Sequence, residues 1–356
     1  MKPITLLALS GIILAGCSSG YTLTGDIPDL GQSIVYLCTA DDYPADLIVL
    51  DSARVENGRF SFKGRIAHST LGYLSTDGRK TFTSFILENA PTHIEGTLAD
   101  KKSFTVASPL NDSLARFQRQ LELFAERRNA VRESKEQYMA IWEELYDYTY
   151  RTVVNNADNF LAVRILNRYP SYFHSAQQML DAIDRLSEPM RQHYMIRRYL
   201  RPQIEQYLRT DVGQPYCDIA APTPAGDTLS LRQAVENPAN KCVLVDFWAS
   251  WCGPCISGRN RVKQLYEKYR AAGLEVIGVS LDSQREAWLA AIEKGQLPWS
   301  DISNLDGWQT GFDSYGVQSL PSYVLIRCSD GRIAARTPWG RASHIPVDEI
   351  EELLGK

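Results

Sequence analysis

Hydrophobic and polar positions along the chain fall into three stretches of different period. Through residues 21–104 apolar residues alternate with polar ones or come in short runs, as in Ile34-Val35-Tyr36-Leu37, Leu47-Ile48-Val49-Leu50 and residues 81–87. Runs of this length bounded by Gly, Pro and Asp predict β-strands. Asn57-Gly58, between two alternating segments, predicts a tight hairpin turn, because both residues tolerate positive φ. From residue 110 to about 210 the period lengthens. Leu114, Phe117, Leu121 and Phe124, then Tyr138, Ile141, Leu145 and Tyr148, then Met179, Ile183 and Leu186 recur at helical steps, with Pro170 and Pro189 as punctuation. The aromatic group Tyr138, Trp142, Tyr146, Tyr148 and Tyr150 lies at the same spacing and reads as packing, not as a glycan or peptide platform. Arg197, Arg198 and Arg201 read as a solvated helix face.

In the third stretch the apolar, β-branched run Cys242-Val243-Leu244-Val245-Asp246-Phe247-Trp248-Ala249 predicts a strand buried on both faces. It leads into Ser250-Trp251-Cys252-Gly253-Pro254-Cys255. Val262, Leu265, Tyr266 and Tyr269 then follow at helical spacing as far as Gly273, a good helix stop. The two cysteines therefore sit on a strand-to-helix turn.

That placement carries chemistry. A helix start presents unpaired backbone N–H groups and a partial positive charge, which favour a thiolate at Cys252. Lowering a thiol pKa from about 8.5 to about 7 raises the thiolate fraction at pH 7 about fifteen-fold, while the lower basicity takes back part of the gain in attack rate. The larger effect is that Cys252 becomes a good leaving group. Cys252 would attack the target disulfide, and Cys255, further into the helix, would resolve the intermediate.

Composition narrows the partners. The chain has 356 residues, 44% of them apolar and 22% charged, enough for two or three domains with cores of their own. A net charge of −4 gives no field that would attract nucleic acid or an anionic membrane. Cys252 and Cys255 lack the second ligand pair a structural zinc site needs, so neither metal nor cofactor is expected.

At the amino terminus, Lys2 precedes an apolar run over residues 4–15 that is too short to span a bilayer and fits a secretory signal. It ends in Leu14-Ala15-Gly16-Cys17, which resembles the lipobox of bacterial lipoproteins. The resemblance implies removal of residues 1–16 and acylation of Cys17. With more than one chain on a residue, each buried methylene worth roughly 0.8 kcal/mol, that is a stable anchor.

The run Val245-Asp246-Phe247-Trp248-Ala249-Ser250-Trp251-Cys252-Gly253-Pro254-Cys255 closely resembles the thioredoxin superfamily. The resemblance implies that Asp246 is buried and acts as acid–base for Cys255. It also implies that Leu320-Pro321, within Tyr315-Gly316-Val317-Gln318-Ser319-Leu320-Pro321, is a cis-proline segment facing the cysteines, where Leu320 pairs with a substrate strand. Trp251, Gly253, Pro254 and Leu320 are then the substrate contacts. A strand at 274–280, a helix at 284–294, the inserted segment through Trp299 and Trp308, and the opening Val212-Gly213-Gln214-Pro215 resemble the TlpA/ResA-like branch. Many members of that branch carry a glutamate three residues after the second cysteine, where this chain has Gly258, which leaves Asp246 as the acid–base. The pattern over residues 48–64 resembles the small β domain that precedes thioredoxin domains in Bacteroidota lipoproteins.

The expectation is thus a multidomain chain: a signal over 1–16, a β-rich domain over 17–105, a helical region over 106–210 and an α/β thioredoxin fold with a TlpA-like insertion over 211–356. Its activity is thiol–disulfide exchange through Cys252 and Cys255 on protein thiols or disulfides. It would be anchored by lipid in the periplasm, on either membrane, and favour reduction, with electrons from a membrane donor. The alternatives are a disulfide-forming oxidase and a scaffold lipoprotein with a secondary redox domain. Cys242 and Cys328, on strands expected to be neighbours, could form a structural disulfide or remain buried thiols. Cys38 and Cys217 have no evident partner.

Overall fold

The structure is a computed structural model describing residues 20–39, 47–341 and 344–356. The signal sequence and Cys17 lie outside the described residues. Packing groups the chain into two compact units, Met1–Gln118 and Arg119–Lys356.

The first unit is a β-sandwich. Strands β1 (Tyr21–Asp26), β2 (Ile34–Thr39), β3 (Ile48–Arg54), β4 (Arg59–Gly64), β5 (Thr70–Ser75), β6 (Thr81–Leu87), β7 (Pro91–Thr97) and β8 (Asp100–Ala107) form two four-stranded sheets, ordered β4-β1-β7-β8 and β3-β2-β5-β6. Alternate residues turn inward, so Leu23, Phe60, Phe62 and Ile94 from one sheet meet Val35, Leu37, Leu74 and Phe85 from the other. The Asn-Gly turn forms, with Asn57 at φ +52° and Gly58 at φ +78°, but it does not close a long hairpin. Beyond the Glu56–Arg59 bridge the strands part, β3 pairing with β2 and β4 with β1, so the turn carries the chain from one sheet to the other.

Helices follow: α1 (Pro109–Ala130), α2 (Lys135–Asn155), α3 (Phe160–Arg168), α4 (Ala176–Asp184), α5 (Glu188–Arg191), a π-helical segment Met195–Leu200 and α6 (Arg201–Arg209). The aromatics at helical spacing pack as expected: Trp142 lies 5.5 Å from Tyr146 and 6.1 Å from Tyr172, centroid to centroid. No helix among the described residues is long and apolar enough to cross a membrane.

The α/β part adds β9 (Ala220–Pro222), β10 (Thr228–Ser230), α7 (Leu231–Val235), β11 (Cys242–Trp248), α8 (Gly253–Tyr269), β12 (Leu274–Ser280), α9 (Arg285–Gly295), β13 (Ser300–Ile302), α10 (Gln309–Tyr315), β14 (Ser322–Arg327), β15 (Arg332–Arg336) and α11 (Val347–Leu354). Its sheet runs β13-β12-β11-β14-β15, parallel from β11 to β13 and antiparallel across β14 and β15. Central strand β11 is buried along its whole length, as its continuous apolar run requires. Val243, Val245 and Phe247 face one core, while Cys242 and Leu244 face α8 with Val262 and Tyr266.

The helices are docked on this sheet through polar anchors the sequence did not reveal. Buried Arg336 donates from Nη1 to the carbonyls of Tyr207 (3.0 Å) and Thr210 (2.6 Å), and from Nη2 to that of Tyr315 (2.6 Å). Gln203 and Gln206 of α6 donate to the carbonyls of Val317 (2.9 Å) and Ser314 (2.6 Å). The helical stretch therefore braces the segment that leads into Pro321.

The structural disulfide considered for Cys242 and Cys328 does not form; both are free thiols. Register pairs Cys242 with Arg327, so Cys328 is one position further on, and side chains alternate faces along a strand. Cys242 packs on the α8 side and Cys328 on the opposite core.

Candidate functional site

Cys252 is the N-cap of α8, and Gly253 and Pro254 open the helix. The proline is tolerated there because the first turn needs no N–H from it. Cys252 and Cys255 form a disulfide with Cα atoms 5.2 Å apart. The backbone N–H of Cys255 donates to Cys252 Sγ at 3.2 Å, the contact that would stabilise a thiolate after reduction. Cys252 retains 6% exposure and Cys255 none, so of the two residues only the first meets solvent.

Asp282 holds the turn before the cysteines. Its carboxylate accepts the Ser250 N–H (2.9 Å), the Ser250 hydroxyl (2.6 Å) and the Ser280 hydroxyl (2.8 Å). The Leu281 N–H adds a bond to the Trp248 carbonyl at 2.8 Å.

On the other side, the Leu320–Pro321 peptide is cis, as anticipated. The Leu320 side chain packs against the cluster of Trp248, Cys252 and Cys255. Its backbone N–H and C=O make no hydrogen bond among the described residues, and so are available to a bound strand. Leu320, Pro321 and Pro254 line a cleft of about 620 Å³ with Gly258, Tyr323 and Arg261. Before the helix Trp251 is 58% exposed, and Gly253 is open to solvent, a Cβ added there meeting nothing within 4 Å.

Asp246 lies under the helix, fully buried, on the α8 face of β11 and opposite Tyr323 of β14. Burial pushes its carboxyl up to about 6; the nearby Arg259 charge opposes the rise and Asp301 adds to it. A carboxyl near 6 can hold or release a proton around neutral pH, which suits acid–base work.

The other cysteines contrast with this. Burial pushes Cys242 up to about 12 and Cys328 up to about 11, and it raises Cys38 and Cys217 as well.

Residues 240–333 match the family model described as thioredoxin-like. This domain is thioredoxin-like. Residues 21–114 match a domain of unknown function, DUF4369. Among curated relatives, the thiol-disulfide oxidoreductase ResA of Halalkalibacterium halodurans is 26% identical over 129 residues, covering 36% of this chain and 69% of the relative. ResA of Oceanobacillus iheyensis is 43% identical over 87 residues, covering 24% of this chain and 44% of the relative. The chain spans about half the length of several such relatives, 52% for ResA of Bacillus anthracis. A solved thiol-disulfide oxidoreductase from Bacteroides fragilis aligns at 29% identity and a TM-score of 0.35, over 39% of this chain and 99% of that one.

Within the thioredoxin-like domain Cys252, Gly253, Pro254 and Cys255 lie at one helix start, with Trp251 exposed just before it; Leu320 packs against the two cysteines and lines a cleft with Pro254 and Pro321, and Asp246 lies beside Arg259, one turn further along α8 from Cys255. Four further residues join them. Trp308, 40% exposed in the inserted segment, stands 6.0 Å from Trp251, centroid to centroid. Asp282 lies just past β12 and Asp301 is the middle residue of β13, where the sequence carries no signal for them. Arg259 did leave one: Cys255, Arg259, Val262 and Tyr266 share the buried stripe of α8, and a charge in that stripe requires a partner.

Proposed function

We propose that the protein is an extracytoplasmic thiol–disulfide oxidoreductase, anchored by lipid at Cys17, that reduces protein disulfides through Cys252 and Cys255. The observation that carries this reading is the asymmetry of the pair: Cys252 keeps some exposure and accepts a helix N–H, while Cys255 is fully buried on the same stripe of α8 as Arg259, the partner of the Asp246 carboxyl. Naming of curated relatives as thiol-disulfide oxidoreductases agrees with it. The mature chain would divide in function near residues 105 and 210, the first two parts holding the third at the membrane.

In the reaction, the Cys252 thiolate attacks one sulfur of a substrate disulfide, and the other substrate sulfur leaves as a thiolate. Cys255 then gives its proton to Asp246 and attacks Cys252. The Cys252–Cys255 bond forms, the mixed disulfide breaks, and the second substrate sulfur leaves. Two electrons have passed from the dithiol to the substrate, and a membrane-bound dithiol donor would restore them. The open edge at Leu320 pairs with the substrate strand, and Trp251, Gly253 and Pro254 form the rest of its seat.

The test is reduction of insulin disulfides by dithiothreitol with the full chain. A rate well above the uncatalysed one, abolished by Cys252→Ser and accompanied by a trapped mixed disulfide in Cys255→Ser, is expected. A rate equal to the uncatalysed one would overturn the reading.

A further inference from the structure

Beneath α8 two buried carboxyls share one buried guanidinium. Arg259 is 3% exposed, Asp246 0% and Asp301 4%. Arg259 Nη2 donates to Asp301 Oδ1 at 2.5 Å, and Trp248 Nε1 donates to the same oxygen at 2.8 Å. Arg259 Nε lies 3.1 Å from Asp246 Oδ2, an ion pair by distance without the geometry of a directed hydrogen bond. Neither Asp246 oxygen has a hydrogen-bond partner among the described residues. The guanidinium also lies over the Trp248 ring, 3.8 Å from its centroid, which fixes its plane.

The backbone is shaped to admit this cluster. Gly278 of β12 stands in register between Asp246 on β11 and Asp301 on β13. A Cβ there would fall 1.9 Å from Asp301 Oδ1 and 2.7 Å from Arg259 Nη2, so any larger residue would expel the pair.

Two acids and one base, all ionised, would leave a net negative charge in a buried site, which is costly. One of the two carboxyls is therefore held close to taking up a proton. Burial pushes both carboxyls up, but Asp301 accepts two directed donors that oppose the rise, whereas Asp246 accepts none and is the one that exchanges. We propose that Arg259 and Asp301 are positioning residues for Asp246: the pair fixes how readily that carboxyl takes the proton Cys255 gives up when it resolves a mixed disulfide. The inference rests on the reading of Cys252 and Cys255 as a redox dithiol.

The signs follow from the charges. Arg259 favours ionised Asp246, and Asp301 opposes it both directly and by holding the guanidinium. The remaining titratable neighbour is Tyr323 across on β14. Its phenol is pushed up by burial and by Asp246, so it stays protonated, with Arg261 and Arg259 opposing that rise. Strand β12 contributes only Gly278. Removing the Arg259 charge must raise the Asp246 midpoint, and removing the Asp301 charge must lower it.

The experiment follows the Asp246 carboxyl by carbon-13 NMR against pH in the oxidised full chain, with Asp246→Asn as the assignment control. Arg259→Gln should move the midpoint up by about one pH unit or more, and Asp301→Asn should move it down by a similar amount. Arg259→Lys, which keeps the charge, should stay closer to the parent than Arg259→Gln. If Arg259→Gln does not fold, the other two variants still decide the matter. Midpoints unmoved within a few tenths of a pH unit, or moved in the same direction by Arg259→Gln and Asp301→Asn, would overturn the proposal, since a merely structural pair predicts no opposed shifts. Failure of the insulin assay would sink the redox reading instead, and it is read separately.

Discussion

Asp282 grips Ser250 twice, taking its backbone N–H at 2.9 Å and its hydroxyl at 2.6 Å, and so fixes the turn immediately before the redox cysteines. Asp282→Ala leaves these donors and Ser280 without their charged acceptor. It should cost about 2–4 kcal/mol in urea unfolding and slow insulin reduction. Asp282→Asn, which keeps an acceptor oxygen, should lose less in both measurements.

Asp246 links stability to pH. Its carboxyl titrates near 6 when folded, against an ordinary value of 3.8. A raised carboxyl supports folding fully below the unfolded value, and that support is lost as pH rises through the folded one. By pH 8 the loss is about 3 kcal/mol. Asp246→Asn removes the charge that must be buried, and Asp301 remains to pair Arg259. Urea unfolding of the oxidised chain should therefore show the variant more stable by about that amount at pH 8, with a smaller gain at pH 4.5. A gain independent of pH would mean that Asp246 does not titrate in this range.

The six cysteines among the described residues divide sharply. Cys242 and Cys328, pushed up to about 12 and about 11, lie on opposite faces of the sheet and do not pair. Brief treatment of the reduced native chain with iodoacetamide at pH 7.5 should alkylate Cys252 first, as read by peptide mass spectrometry. Buried Cys38 and Cys242 should be labelled only after denaturation, and half-buried Cys217 and Cys328, whose thiols are pushed up, more slowly than Cys252. Equal labelling of Cys242 would contradict the burial assigned to it.

Trp308 and Trp251 together form an exposed aromatic wall beside Cys252, with ring centroids 6.0 Å apart. An aromatic contact of this kind is worth about 0.5–1.5 kcal/mol. Trp308→Ala should raise KM for a disulfide-bonded peptide by roughly two- to ten-fold, by that contact energy, with little change in kcat. A fall in kcat alone would place Trp308 outside the binding surface.

The sequence made the redox turn legible because each of its requirements is local: a buried strand, two thiols and a helix start. Strand β12 lies at Leu274–Ser280 and helix α9 at Arg285–Gly295, close to where the resemblance to the TlpA/ResA-like branch put them. What stayed hidden depends on contacts distant along the chain. Asp301 and Arg259 are 42 residues apart, and Arg336 reaches Thr210 across 126. Asn57-Gly58 turned as its residues dictate, yet which strands its flanks would join was set by two sheets competing for them. Of the two outcomes open for Cys242 and Cys328 the free thiols hold: the strands are neighbours as expected, but register leaves the two residues one position apart on opposite faces.

The most direct test is the equilibrium redox potential of the Cys252–Cys255 pair in the full chain, measured against glutathione or dithiothreitol buffers. A two-electron transition near about −270 mV, absent in Cys252→Ser, is predicted for a reductase of this construction. A potential near about −120 mV would make the protein an oxidant of thiols, and a pair that does not cycle would contradict the account altogether.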